Sequence, residues 1–302
     1  MTVRASRVVD SHLHVWDLTS GGYGWLGPRH GRLHRSFLPE EAVAVLGDAG
    51  IGAAVLVQAD DSTADTDFML AAAERHPVLA GVVGWVRLDA PHEAMARLDR
   101  LADSVAFRGV RHLVHDDPRD DFLSLPSVRS SLRAVAQRGL AFDVPDAWPR
   151  HLDAVAELAR TLPELTVVVD HLGKPPRGTE AMSAWEASLR AAAAASPAVV
   201  AKVSGLQVPG QPFTGAALRP VLDVALDAFG ADRLMYGGDW PMTVPDGGYL
   251  PHWQVVSGLV AELAPSEQES IMWRTACRTY RLPEAGPCGD GSRDSGTNPP
   301  EA

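Results

Sequence analysis

The sequence predicts an α/β protein, a closed (β/α)8 TIM barrel with its active site at the C-terminal ends of the strands. Eight short apolar runs, most of them β-branched, alternate with helix-period segments along the chain. The runs are apolar at consecutive positions, the pattern of strands buried on both faces in an all-parallel sheet. Most of them close on an ionisable or amide residue, and in a parallel barrel those strand ends share one face. No glycine-rich dinucleotide fingerprint follows the first run, which argues against an open doubly wound sheet.

Taken in order, the first strand opens at Val8-Val9 and continues through Asp10-Ser11-His12-Leu13-His14. Residues two apart on a strand share a face. His12 and His14 are therefore either half of a divalent-metal site or a hydrogen-bonded pair of core histidines. A Gly-rich connection runs from Leu18 to Leu38. Tyr23 and Trp25 within it either wall a pocket or anchor the loop. Pro39-Glu40-Glu41 opens the first helix, with proline early and acids at the positive end of the dipole.

The second strand, 51–58, ends at Gln58 and is followed by a helix over 64–75. The third, 79–86, carries Trp85 near its end and leads to a helix over 91–102. The fourth strand spans 107–114 and its helix 126–138; the fifth strand is 140–144 and its helix 149–162. A sixth strand at 165–171 precedes an Ala-rich helix at 181–195, and a seventh at 198–203 precedes a helix at 214–229. The eighth strand is 233–237, and helices at 253–263 and 266–280 complete the unit. Residues 1–282 are expected to form one barrel. Residues 283–302, rich in Gly, Ser, Pro and Asp, are expected to be a disordered tail.

Composition narrows the function classes. A chain of 302 residues with 46% apolar content suits one large barrel. A net charge of −11 disfavours nucleic acid as a partner. No run approaches the roughly 18 apolar residues of a membrane span, and no secretory signal is evident at the N-terminus. Of two cysteines, Cys277 falls in a helical pattern and Cys288 in the tail, so no stabilising disulfide is expected. A cytoplasmic protein acting on a small molecule fits these features.

The strand ends gather the chemistry: His12, His14, Gln58, Arg111, His115, Asp143, His171, Lys202 and, just past the eighth strand, Asp239. Closure of the barrel places the eighth strand beside the first, and so Asp239 beside His12 and His14. Alternation puts Arg111, Leu113 and His115 on the inner face of the fourth strand and His112 on the outer. On the sixth strand it groups Val167, Val169 and His171, with Asp170 expected to point away and support neighbouring backbone. Lys174 is either a substrate contact or solvated surface. Lys202 is a candidate substrate group, because a lysine within a buried strand needs a partner or a purpose.

His12-Leu13-His14, Gly109-Val110-Arg111-His112, Asp170-His171-Leu172-Gly173-Lys174-Pro175, Lys202-Val203-Ser204-Gly205-Leu206 and Gly238-Asp239-Trp240-Pro241 occur in an order that resembles the amidohydrolase-related proteins. The branch they are most similar to is the sugar-lactonase-like one, with fuconolactone and pyrone-dicarboxylate lactone hydrolases. Tyr23-Gly24-Trp25-Leu26 and Arg278-Thr279-Tyr280-Arg281-Leu282 share that likeness, which runs from about residue 8 to 282. The resemblance implies a hydrolase of carbohydrate metabolism whose Asp239 activates water, with His12, His14 and His171 at the family's catalytic histidine positions. Members of the branch differ in whether they need a metal, which leaves both states open; where one is present, a single divalent ion, zinc or manganese, is expected on His12, His14 and Asp239 with His171 as a further ligand. Arg111, His115, Lys202, Tyr23, Trp25 and Trp85 are the candidate substrate contacts. The alternative is a decarboxylase of the same fold acting on a carboxylated aromatic. Leu13 stands where many relatives have Gln, and Gly238 where many have Ser.

Overall fold

The computed structural model describes residues 7–282. The expected tail, 283–302, lies outside the described residues. Eight strands pair in parallel in sequence order: β1 (Val9–Leu13), β2 (Ala53–Val57), β3 (Leu79–Gly84), β4 (Phe107–Arg111), β5 (Ala141–Val144), β6 (Thr166–Val169), β7 (Val199–Val203) and β8 (Leu234–Tyr236). The sheet closes at the β1 seam, where Leu13 bridges to Trp240. There His14 N donates to Trp240 O at 2.7 Å and Asp239 N donates to His12 O at 2.7 Å. The protein is a (β/α)8 barrel.

Helices cover the outside: α1 (Pro39–Ala49), α2 (Thr63–Arg75), α3 (Pro91–Leu101), α4 (Pro126–Gln137), α5 (Leu152–Thr161), α6 (Met182–Ala195), α7 (Gly215–Phe229), α8 (Tyr249–Val260), α9 (Pro265–Glu269) and α10 (Thr275–Tyr280). Proline begins α1, α3, α4 and α9, where its missing N–H costs no intrahelical bond. Ser62 and Thr214 cap α2 and α7 by accepting from Asp65 N and Ala217 N. Such caps stabilise by about 1 kcal/mol each. The helices seat apolar stripes on the barrel, as α4 does with Val128, Leu132 and Val135. Between α9 and α10 the chain widens into one π-helical stretch, Ser270–Arg274, so the single helix expected over 266–280 is interrupted.

Inside the barrel, Val9, Val55, Val83, Ala141, Val168, Val200 and Met235 form an apolar layer with Tyr280 and Leu282 from the C-terminal segment. β4 contributes Gly109, whose side a Cβ could not occupy without meeting Ala141 O at 3.0 Å. This layer fixes the inward phase of every strand, and the polar residues two positions further on inherit it. Cys277 lies on α10. The chain's other cysteine, Cys288, lies outside the described residues, and the expectation of no stabilising disulfide lies there with it.

Candidate active site

Directly above the apolar layer lies a buried polar one. Arg111 follows Gly109 inward on β4, Asp143 follows Ala141 on β5, and Lys202 follows Val200 on β7. Lys202 Nζ lies 2.6 Å from Asp143 Oδ2 and 3.0 Å from Asp170 Oδ1. Arg111 Nη1 donates to Asp170 Oδ2 at 3.0 Å. Two cations and two carboxylates thus offset one another in a volume largely removed from water, which makes such burial tolerable. Burial pushes the Asp143 carboxyl up to about 6 against the pull of Lys202. Burial acts on Asp170 in the same sense, but Lys202, His12 and Arg111 outweigh it and hold that carboxyl well below its usual range. Tyr280 adds a contact that no sequence pattern announces, its hydroxyl donating to Asp143 Oδ2 at 2.7 Å.

Two expectations are corrected here. Asp170 does not point away: it shares the inward phase of Val168, and the grouping of Val167, Val169 and His171 has the wrong phase. Lys202 is fully buried among Asp143, Asp170 and His12, too deep to meet a substrate.

His171 reaches the site by leaving the strand geometry. Its φ of 56° and that of Leu172, 52°, are left-handed. The turn brings the ring over Gly205, where any Cβ would lie 2.3 Å from Nδ1, and Ser204 Oγ pairs with Nδ1 at 2.9 Å. On β1 the register shifts between Asp10 and Leu13, a bulge-like irregularity of the kind that re-aims side chains. Val9 faces the axis below it and His12 and His14 face the axis above it. Asp10 holds the irregularity in place by accepting from His12 N at 2.9 Å, Gly238 N at 2.8 Å and Tyr249 OH at 2.7 Å. At Gly238 a Cβ would fall 2.3 Å from the Tyr249 ring and 2.4 Å from Asp10 Oδ2, so a serine has no room beside this pair.

These devices converge on one atom. His14 Nε2, His12 Nε2 and His171 Nε2 lie 3.6, 3.8 and 3.9 Å from Asp239 Oδ1, and the two ring nitrogens of His12 and His14 are 3.1 Å apart. His14 Nδ1 donates to Val57 O at 2.7 Å, which fixes the orientation of the ring. Burial first, then neighbouring positive charge, lowers the pKa of His12 and His171, so both stay neutral. Burial opposes ionisation of Asp239, yet His171, His14, His12 and Lys174 together hold it far below the carboxylate range. Gln207 Nε2 donates to its other oxygen at 3.1 Å.

Imidazoles around an ionised carboxylate are a donor set for a divalent ion. Ligands at about 2.0–2.2 Å from such an ion stand roughly 3–3.5 Å from each other. His12, His171 and Asp239 offer ligand atoms within 4.8 Å of one another, and His14 Nε2 adds the short spacings given above. Asp170 Oδ1, 3.3 Å from His12 Nδ1, is the second carboxylate that commonly orients a ligating histidine. The residues fit the group.

Above them opens a cavity of about 150 Å³. His14, His171, Asp239, Arg111, His115 and Trp25 all line it, as expected from sequence, and His12 lies immediately beneath. Tyr23 and Trp85 do not: Tyr23 OH donates to Asp65 Oδ1 at 2.8 Å and Trp85 Nε1 to His112 Nδ1 at 3.3 Å. Both aromatics end in polar groups that found buried partners behind the wall. Lys174, open between substrate contact and surface on the sequence, lines the cavity, and so do Asp146, Gln207, Trp16 and Met242, which the sequence reading did not put there. Asp146 was open to the strand-end rule, since it lies two residues past the end of β5. Positive φ at Asp146 (42°), His171, Leu172, Lys174 (65°) and Asp239 (50°) concentrates backbone strain around the cavity, as at many functional sites.

Comparison with known proteins agrees with this geometry. The amidohydrolase family profile matches residues 9–282. An L-fucono-1,5-lactonase of Burkholderia ambifaria is 32% identical over 93% of this chain and 97% of its own, and one of Burkholderia multivorans 33% identical over 91% and 96%. An amidohydrolase of Burkholderia multivorans solved with bound zinc superposes with a TM-score of 0.79 at 30% identity, covering 91% of this chain and 99% of that one.

Proposed function

Since the chain belongs to the amidohydrolase family, we propose that it is a hydrolase that opens a small sugar-acid lactone, with Asp239 as the general base. The observation that carries the reading is the convergence of three histidine Nε2 atoms on Asp239 Oδ1 at the floor of the cavity. The lactonases at 32% and 33% identity support the reaction class. The cavity is smaller than the ~300–1,000 Å³ of drug-sized sites, which suits a single sugar ring.

In the reaction, a water beside Asp239 attacks the lactone carbonyl carbon and gives its proton to the carboxylate. The carbonyl oxygen takes up negative charge as the tetrahedral centre forms. Arg111, lining the cavity, is placed to stabilise it. The centre collapses, the ring C–O bond breaks, and the departing alkoxide recovers the proton from Asp239 to give the open hydroxy acid. His115 and Trp25 hold the ring. Gln207 keeps Asp239 from rotating out of line. His12, His14, His171 and Asp239 would hold one divalent ion, zinc by analogy with the zinc-bound relative, which would polarise the carbonyl or acidify the water so that a weakly basic carboxylate suffices. The fourth strand supplies Arg111 where a second ion would need a carboxylate, so one equivalent is expected. The enzyme is read as cytoplasmic.

The test is a panel of neutral aldono-1,5-lactones followed by pH indicator, with elemental analysis and chelation in parallel. Ring opening with one equivalent of metal supports the proposal. Release of carbon dioxide from aromatic acids without lactone opening would overturn it in favour of a decarboxylase. Two equivalents per chain would overturn the mononuclear centre.

A further inference from the structure

We infer that Asp146 selects neutral, hydroxyl-bearing lactones and turns away carboxylated ones, by accepting hydrogen bonds from substrate hydroxyls in the outer part of the cavity; the inference rests on the lactonase reading above. Asp146 follows Pro145 at the end of β5 and lines the cavity. Its side chain is 33% exposed, and its nearest cation, Lys174 Nζ, stands 3.9 Å away, beyond hydrogen-bond range. The carboxylate therefore keeps its acceptor capacity for a ligand, and neighbouring hydroxyls of a sugar ring match its two oxygens.

The charge balance of the cavity points the same way. Arg111 is held from behind by Asp170, and its remaining donors serve the reacting carbonyl in the reading above. Three carboxylates, Asp116, Asp146 and Asp239, stand on the cavity walls against two cations, Arg111 and Lys174. A carboxylate on the ring, remote from the reacting carbonyl, would therefore meet Asp146 between walls of net negative charge, and like charges in contact are strongly disfavoured. A polyol meets an acceptor there instead.

The experiment uses a matched pair: an aldono-1,5-lactone and the aldarolactone of the same ring, in which a carboxylate replaces the terminal carbinol. Wild type and Asp146→Asn are compared, since Asn tolerates the left-handed backbone at this position. The wild type should favour the neutral lactone in kcat/KM by about tenfold or more. In Asp146→Asn the neutral lactone should lose ground mainly through KM, and the ratio should move toward one. Equal use of the two by the wild type, or an unchanged ratio in the variant, overturns the assignment. Calorimetric Kd values for the two corresponding lactams, which resist hydrolysis, separate this from the reaction class. A preserved wild-type preference that falls in the variant, with no lactone turned over, would sink the lactonase reading and leave Asp146 standing. Equal binding of both lactams, or none, overturns Asp146 whatever the turnover.

Discussion

Single residues at this site are set by what surrounds them more than by their type. Asp239 stays ionised because His171, His14, His12 and Lys174 outweigh the effect of its burial. Asp239→Asn keeps the shape and removes the acceptor of the water's proton. We expect turnover to fall by about 10²–10⁴ while the thermal melt stays close to wild type; a near wild-type rate would move the base to His171 or His115. Asp65 shows the opposite environment. Burial lifts it from 3.8 to about 7 despite donors from Tyr23 and Ala59. Between pH 4 and 7 the folded chain keeps a proton that the unfolded chain has released, so this residue's contribution falls as pH rises through that window. A shift of this size corresponds to on the order of 4 kcal/mol. Relative to wild type, Asp65→Asn should therefore gain stability between pH 5 and pH 8 in paired denaturation curves, and a constant difference would contradict the assignment.

At the scale of elements, strand exits decide which side chains become functional. Strand phase was legible where a strand stays regular: Gly109 to Arg111 and Ala141 to Asp143 follow simple alternation. It failed on β6, because counting on to His171 assumes extended backbone where the chain has already turned left-handed, and that error moved Asp170 to the wrong face. Polarity at a strand end revealed membership of the site but not depth. Lys202 accordingly looked like a substrate contact, and Tyr23 and Trp85 like cavity walls. No periodicity links Tyr280 to Asp143, so that contact had no signal at all. The depth of Lys202 has a measurable consequence. Lys202→Met leaves Asp143 and Asp170 without their shared cation, which should cost about 3–5 kcal/mol in urea unfolding. A loss within experimental error would mean the two carboxylates are protonated in the folded protein.

For the whole molecule, the fold class and the ring of polar strand ends were readable because eight repeats of one pattern admit few architectures, and because sequence-distant β1 and β8 must meet if the barrel closes. That closure is also the hardest step. Contacts between strands at opposite ends of the chain lose the most chain entropy before they form, so they form late. Activity recovered after dilution from denaturant should consequently lag the far-ultraviolet dichroism signal, and simultaneous return would argue that the seam forms early. The inward reach of Tyr280 extends this into the order of synthesis. His12 lies on the first strand of the barrel, Asp239 just past the eighth, and the tyrosine that steadies the floor beneath them follows later still. A ribosome carrying seven completed β/α units holds a chain with most of the barrel's secondary structure and no chemistry, and the enzyme switches on only once α10 has been released to dock.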